Sequence, residues 1–142
     1  MADTFQLEIV TPEKLMVKET ADEVQIPGKA GYMDVLPGHA PLITELMIGE
    51  IAYKHDGNTQ HLSVAWGFAE VLPDKVTILA QTAERAEEID VKRAQEAKAR
   101  AEAALARAEA DLDFDATLSA LKRAEVRLKV AEYAATRTAT IR

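Results

Sequence analysis

Apolar positions along this chain follow two periods, one early and one late. In residues 4–10, Phe5, Leu7 and Ile9 alternate with polar residues, the period of a strand with one buried face. Short apolar stretches follow at 15–17, 23–26, 32–36, 42–46, 51–55, 59–66, 68–72 and 76–80. Turn formers separate them: Thr11-Pro12-Glu13, Pro27-Gly28-Lys29-Ala30-Gly31, Pro37-Gly38-His39-Ala40-Pro41, Asp56-Gly57 and Pro73-Asp74. Asp56-Gly57 between two such stretches is a hairpin signal. Many short strands with frequent turns predict an antiparallel sandwich or barrel.

Beyond residue 83 the period changes. Ala94, Ala97, Ala101, Ala104 and Ala108 recur at intervals of three and four, as do Leu121, Ala124, Leu128, Ala131 and Ala135. That is one face of a helix, twice over. Ala, Glu, Lys, Arg and Leu dominate here, and all are strong helix formers. Asp111-Leu112-Asp113-Phe114-Asp115 breaks the series, with Asp able to cap a new helix. The spacing predicts helices over about 90–111 and 116–135, entered through Glu84-Arg85-Ala86 and packed antiparallel along an alanine seam. An Ala methyl buries little area, at roughly 0.8 kcal/mol per carbon removed from water, so such a hairpin opens at modest cost. Periodicity alone favours a plain solvated coiled coil serving as a spacer.

Every Gly and Pro of the 142 residues lies at or before Pro73. Residues 1–83 carry five Lys, no Arg and twelve acids, residues 84–142 carry twelve bases and twelve acids, and from Ala116 on six bases face two acids. The break places a boundary between a domain at 1–83 and one at 84–142, giving a β-sandwich followed by an antiparallel α-helical hairpin. The net charge of −7 argues against nucleic acid as a partner. No cysteine is present, which excludes disulfides and thiolate chemistry. The first residues lack the basic and apolar regions of a secretory signal, and no apolar run reaches the ~18 residues of a membrane span. A soluble protein is expected.

Catalytic chemistry finds little support. His39 sits in a Pro/Gly loop; His55 and His61 flank the expected hairpin and could face each other, with Asp56 as the one nearby further ligand, so surface histidines are expected rather than a metal site. No phosphate-binding Gly-rich loop occurs, and Ser63 and Ser119 have no triad context. The arginines say more. Arg93, Arg100 and Arg107 are spaced by seven, and Arg123 and Arg127 by four, so a closed hairpin could gather them around an anion. On spacing alone, intrahelical pairing through Glu96–Arg100, Lys98–Glu102 and Glu125–Lys129 is the favoured account.

Taken together, the chain resembles the epsilon subunit of the bacterial rotary ATP synthase over nearly its whole length. The resemblance rests on Leu36-Pro37-Gly38-His39-Ala40-Pro41, on Trp66-Gly67-Phe68-Ala69-Glu70-Val71, and on a sandwich followed by a hairpin. It implies a non-catalytic rotor subunit of the central stalk, turning with the gamma subunit on the c-ring. The sandwich docks, through Gly31, Tyr32, Met33 and Asp34 on the c-ring and through His39 and Pro41 on gamma. The hairpin lies folded on the sandwich or extends toward the catalytic alpha/beta head, where it inhibits ATP hydrolysis. Some family members bind ATP on the folded hairpin. Their motif fits Ile89-Asp90-Val91-Lys92-Arg93-Ala94 here, with Glu84, Arg100, Arg123 and Arg127 matching the further positions. By resemblance, no cofactor is required, ATP is a regulatory ligand, and the protein sits at the cytoplasmic face of the bacterial plasma membrane, held there only through the complex. A stand-alone two-domain adaptor is the other reading.

Overall fold

The computed structural model describes residues 3–107 and 109–141, with side chains to Ala135. Eight strands come first: β1 (Phe5–Val10), β2 (Leu15–Ala21), β3 (Glu23–Gly28), β4 (Gly31–Val35), β5 (Leu42–Leu46), β6 (Gly49–His55), β7 (Asn58–Val71) and β8 (Lys75–Arg85). A 3-10 turn, Ala86–Glu88, leads to α1 (Val91–Arg107) and α2 (Phe114–Ile141). The fold is the expected β-sandwich followed by a helical hairpin.

The strands join in the order β2-β1-β8-β7-β5-β3-β4, with β6 bridging β3 and β7. All neighbours are antiparallel except β1 and β8. The core comes from alternate inward positions: Leu7, Ile9, Val24, Ile26, Leu46, Ile51, Tyr53, Leu62 and Ile78 are all at most 1% exposed. This is the alternation of a half-buried strand, read in three dimensions.

Three expectations for the strand boundaries change. The stretches at 59–66 and 68–72 do not form separate strands; Asn58–Val71 make up the single 14-residue β7. Trp66 (φ 60°) and Gly67 (φ 127°) lie in the left-handed region, and Trp66 drops out of the ladder between Ala65↔Thr82 and Gly67↔Ala80. The strand bends there, leaving β6 for β5, while β8 stays alongside. A Cβ at Gly67 would stand 1.9 Å from the Leu79 carbonyl oxygen, so only glycine permits this approach. The expected loop at 27–31 shrinks to Lys29-Ala30, since Pro27 pairs with Tyr32 and Gly28 with Gly31. Glu84 and Arg85 belong to β8 rather than to a helix entrance, because Ser63 and Leu62 hold them in register.

Aspartates set both helix starts. Asp90 Oδ1 accepts from the Arg93 amide at 3.0 Å, and Asp113 Oδ1 from the Ala116 amide at 3.1 Å, the N-cap bond that satisfies an orphan donor. α1 is described over Val91–Arg107 against the expected 90–111, with 109–111 outside the helix, and α2 starts at Phe114, two residues early. The helices meet along Ala94 and Ala101 from α1 and Ala124 and Ala131 from α2, all buried. Leu121 and Leu128 are half-buried and Ala135 is exposed; Ala108 of the expected seam lies outside the described residues. A second buried cluster lies beside the seam: Val126, Val130 and Ala131 pack with Ala86 and Ile89, with Ile48 and Ala134 at the margin. The hairpin is therefore folded against the sandwich, and α2 is the helix that docks.

Candidate functional site

A cleft of about 950 Å³ opens where the two helices meet the end of the sandwich, within the ~300–1,000 Å³ range of small-ligand sites. Alanines make the room. Ala97, Ala101 and Ala104 of α1 and Ala116, Ala120 and Ala124 of α2 line it, and a one-carbon side chain leaves space that a leucine would fill. The cations stand around this space: Arg93 and Arg100 from α1, Arg123 and Arg127 from α2. The sandwich supplies Glu84 on β8 and, from the β1–β2 turn, Thr11 and Lys14.

Arg127 and Glu84 form a two-point ion pair. Arg127 Nε donates to Glu84 Oε1 at 2.6 Å and a terminal nitrogen to Oε2 at 3.3 Å. The pair ties α2 to β8, with both side chains partly screened from water. Arg93, Arg100 and Arg123 make no ion pair among the described residues. The three intrahelical pairs that would have accounted for the arginine spacing do not form there either. Three unpaired, exposed guanidiniums and one paired one line a space that Glu13 and Glu84 also line; planar guanidinium forks can hold an anion two bonds at a time.

The other motif residues sit elsewhere. Ile89 and Ala94 are buried, at 8% and 0% exposure, in the joints between hairpin and sandwich and between helices. Asp90 is exposed, but one carboxylate oxygen is engaged as the cap of α1. Lys14, Thr11, Gln81 and Thr82 line the cleft without any sequence signal for it; their place follows from strand pairing that brings the β1–β2 turn beside the end of β8. That turn is fixed by its own bonds, with Thr11 Oγ1 accepting from the Lys14 amide at 3.2 Å.

Gly31, Tyr32, Met33 and Asp34 lie on β4, at the end of the strand order. Tyr32 is 56% exposed, and its hydroxyl accepts from the Glu50 amide at 3.0 Å. Met33, expected to be exposed, instead packs on the core, because strand alternation turns it inward opposite Ile26. His39 is half-buried, its ring Nδ1 within 2.7 Å of the Ala40 carbonyl, while Pro41 is exposed. His55 and His61 do not face each other: His55 pairs with Asn58 and His61 with Ala52. Among the described residues no group of His, Asp and Glu is arranged to hold a metal ion, and no helix is long and apolar enough to cross a membrane.

Comparison with known proteins gives one consistent pattern. The family described as ATP synthase, Delta/Epsilon chain, beta-sandwich domain matches residues 4–86, and the long alpha-helix domain of the same chains matches 87–132. An ATP synthase epsilon chain of Koribacter versatilis (strain Ellin345) is 72% identical over 100 residues, 70% of each chain. One from Solibacter usitatus (strain Ellin6076) is 48% identical over 132 residues, spanning 93% of this chain and 98% of the relative. Among solved structures, a chain of the Euglena gracilis mitochondrial ATP synthase assembly of OSCP, F1 and c-ring superposes with a TM-score of 0.69 at 20% identity, covering 97% of this chain and 83% of that one. A chain of the Tetrahymena thermophila central stalk and c-ring gives 0.53 at 12% identity, covering 92% and 95%. At those identities the structural likeness establishes the fold alone.

Proposed function

Since this chain belongs to the delta/epsilon family of ATP synthase subunits, we propose that it is an epsilon subunit of the central stalk whose hairpin senses ATP and restrains hydrolysis. In this reading the sandwich couples the gamma subunit to the c-ring, so the protein meets the membrane of a proton-translocating synthase only through the complex, at its cytoplasmic face. The basic α2 suits an acidic surface on the catalytic head when the hairpin is extended.

The observation that carries the ATP reading is the convergence of Arg93, Arg100, Arg123 and Arg127 with Glu84 on one cleft. Phosphates fit between the guanidiniums of both helices. Glu84 offers carboxylate oxygens to the adenine amino group or the ribose, and Asp90 lies one turn from Arg93. Without an anion any repulsion among the arginines works against the alanine seam; with one bound they would hold the helices together. A ligand that binds only the folded form stabilises it by RT ln(1 + [L]/Kd), about 2.7 kcal/mol at a hundredfold excess over Kd, comparable to what an alanine seam supplies. Scarce ATP then releases the hairpin, and hydrolysis is braked when ATP is low.

Calorimetric titration of the protein with ATP tests this. Arg93→Ala and Arg127→Ala are each expected to weaken binding more than tenfold, over ~1.4 kcal/mol, and ATP to raise the melting temperature. Millimolar ATP giving neither heat nor a melting shift removes the site. The adaptor alternative predicts no co-purification with gamma.

A further inference from the structure

The folded hairpin is fastened to the sandwich a second time, away from the arginine cleft. Tyr133 of α2 lies flat on His61 of β7, with ring centroids 3.5 Å apart and planes 1° apart. On its edge, His61 Nδ1 donates to Glu50 Oε1 of β6 at 2.6 Å, and this pair is largely out of water, with the two side chains 15% and 10% exposed. Glu50 is anchored in turn, since its amide donates to the Tyr32 hydroxyl at 3.0 Å. A β-strand imidazole is thus held in one plane by a carboxylate, and an aromatic ring from a different domain rests on that plane. Flat stacking at van der Waals contact demands this orientational control, because a freely rotating imidazole meets a phenol face only some of the time.

Tyr133 also continues the docking face of α2. Val126, Val130 and Tyr133 follow one another at i, i+4 and i+7, one face of the helix. Val126 and Val130 supply the buried apolar contact with Ala86 and Ile89. Tyr133 ends that face at the side of the sandwich, itself 36% exposed, so it adds little to the core and leaves it easily. From these contacts we infer that the Tyr133–His61–Glu50 stack is a clasp that sets the balance between the folded and released hairpin, whether or not nucleotide is bound. Tyr133 is the movable half, His61 the seat, and Glu50 the positioning residue that fixes the seat. The inference rests on the reading that the hairpin leaves the sandwich at all.

The chain has no cysteine, so Asp74→Cys and Asp111→Cys give a unique pair of label sites, one on the sandwich and one at the hairpin tip. Distance distributions from spin labels on the full chain, without nucleotide, read the folded and released populations. Tyr133→Ala and His61→Ala are each expected to raise the released population about tenfold. The double substitution should do little more than either alone, because each breaks the same contact. Tyr133→Phe keeps the ring and should keep the wild-type distribution. Glu50→Gln should fall between, since it frees the seat without removing it. Val130→Ser, which weakens the buried docking face, serves as the reference for release. If Val130→Ser releases the hairpin and Tyr133→Ala does not, the clasp is refuted while the mobile hairpin stands. If neither moves it, the mobile hairpin falls and the clasp with it. Wild-type sandwich melting in the Tyr133 variants keeps the comparison clean.

Discussion

Tyr53 shows how one side chain can sit at odds with its surroundings. Its ring is 1% exposed in the centre of the sandwich, and its hydroxyl has no hydrogen-bond partner among the described residues. Burial raises the phenol above its ordinary value of 10.0, with the Glu19 charge adding to the rise and Arg85 opposing it. An acid whose folded value is raised keeps its proton in the fold after the unfolded chain has lost it. Its stabilising effect is therefore complete below pH ~10 and is lost as pH climbs through the raised value, by up to ~1.4 kcal/mol per pH unit. Tyr53→Phe keeps the buried ring and removes the orphan oxygen. It is expected to change stability at neutral pH by less than ~1 kcal/mol and to flatten the loss above pH 10, which denaturant melts at pH 8 and pH 11 would measure. An equal alkaline loss in both proteins would place the titrating group elsewhere.

Among the elements, α2 bears the most competing demands. It packs on α1 through Ala124 and Ala131, on the sandwich through Val126 and Val130, and it presents Arg123 and Arg127 to the cleft. Three uses of one helix explain its mixed face. A pure alanine seam would not dock, and a pure leucine face would not release. If α2 is the inhibitory element when extended, truncation after Asp115 raises ATP hydrolysis by the assembled enzyme while synthesis persists. Arg127 is committed to Glu84 in the folded form, so on that reading its charge would reach the head only after release. Unchanged hydrolysis in the truncated assembly would show that this hairpin does not inhibit.

The assembled arrangement separates two surfaces. The strand at the end of the sheet order carries Tyr32, and the segment after it carries Leu36, each 56% exposed, while the hairpin folds against the β6–β7 side. If the proposed reading holds, docking on the rotor and movement of the hairpin use separate residues, apart from the Tyr32–Glu50 bond that touches both. Tyr32→Asp with Leu36→Asp is expected to weaken assembly on the c-ring with the sandwich still folded. Met33→Asp is not a clean probe, because Met33 packs on the core. Normal assembly with both changes, judged by co-purification of the ring, would move the docking face elsewhere.

Local chemistry in the sequence was enough for much of this. Alternation at Phe5, Leu7 and Ile9 and the alanine spacing at 94, 97 and 101 marked strand and helix, because side-chain period is a property of the backbone alone. The aspartates at 111–115 marked a helix start because a carboxylate can accept from a first-turn amide, whereas the capping role of Asp90 came from the structure. The arginine spacing made an anion site conceivable but favoured intrahelical pairing, since spacing along a helix does not say what faces it. Contacts between distant segments needed the fold. Glu84 looked like the entrance to a helix until Ser63 held it in a strand, and Lys14 reached the cleft only because β1 lies beside β8. His61 read as a surface histidine, yet Glu50 and Tyr133 enclose it from positions 11 residues before and 72 residues after it in the chain. Such pairings depend on strand register and on how a helix is laid across a sheet, and those are settled by burial of the whole core rather than by any neighbouring residues.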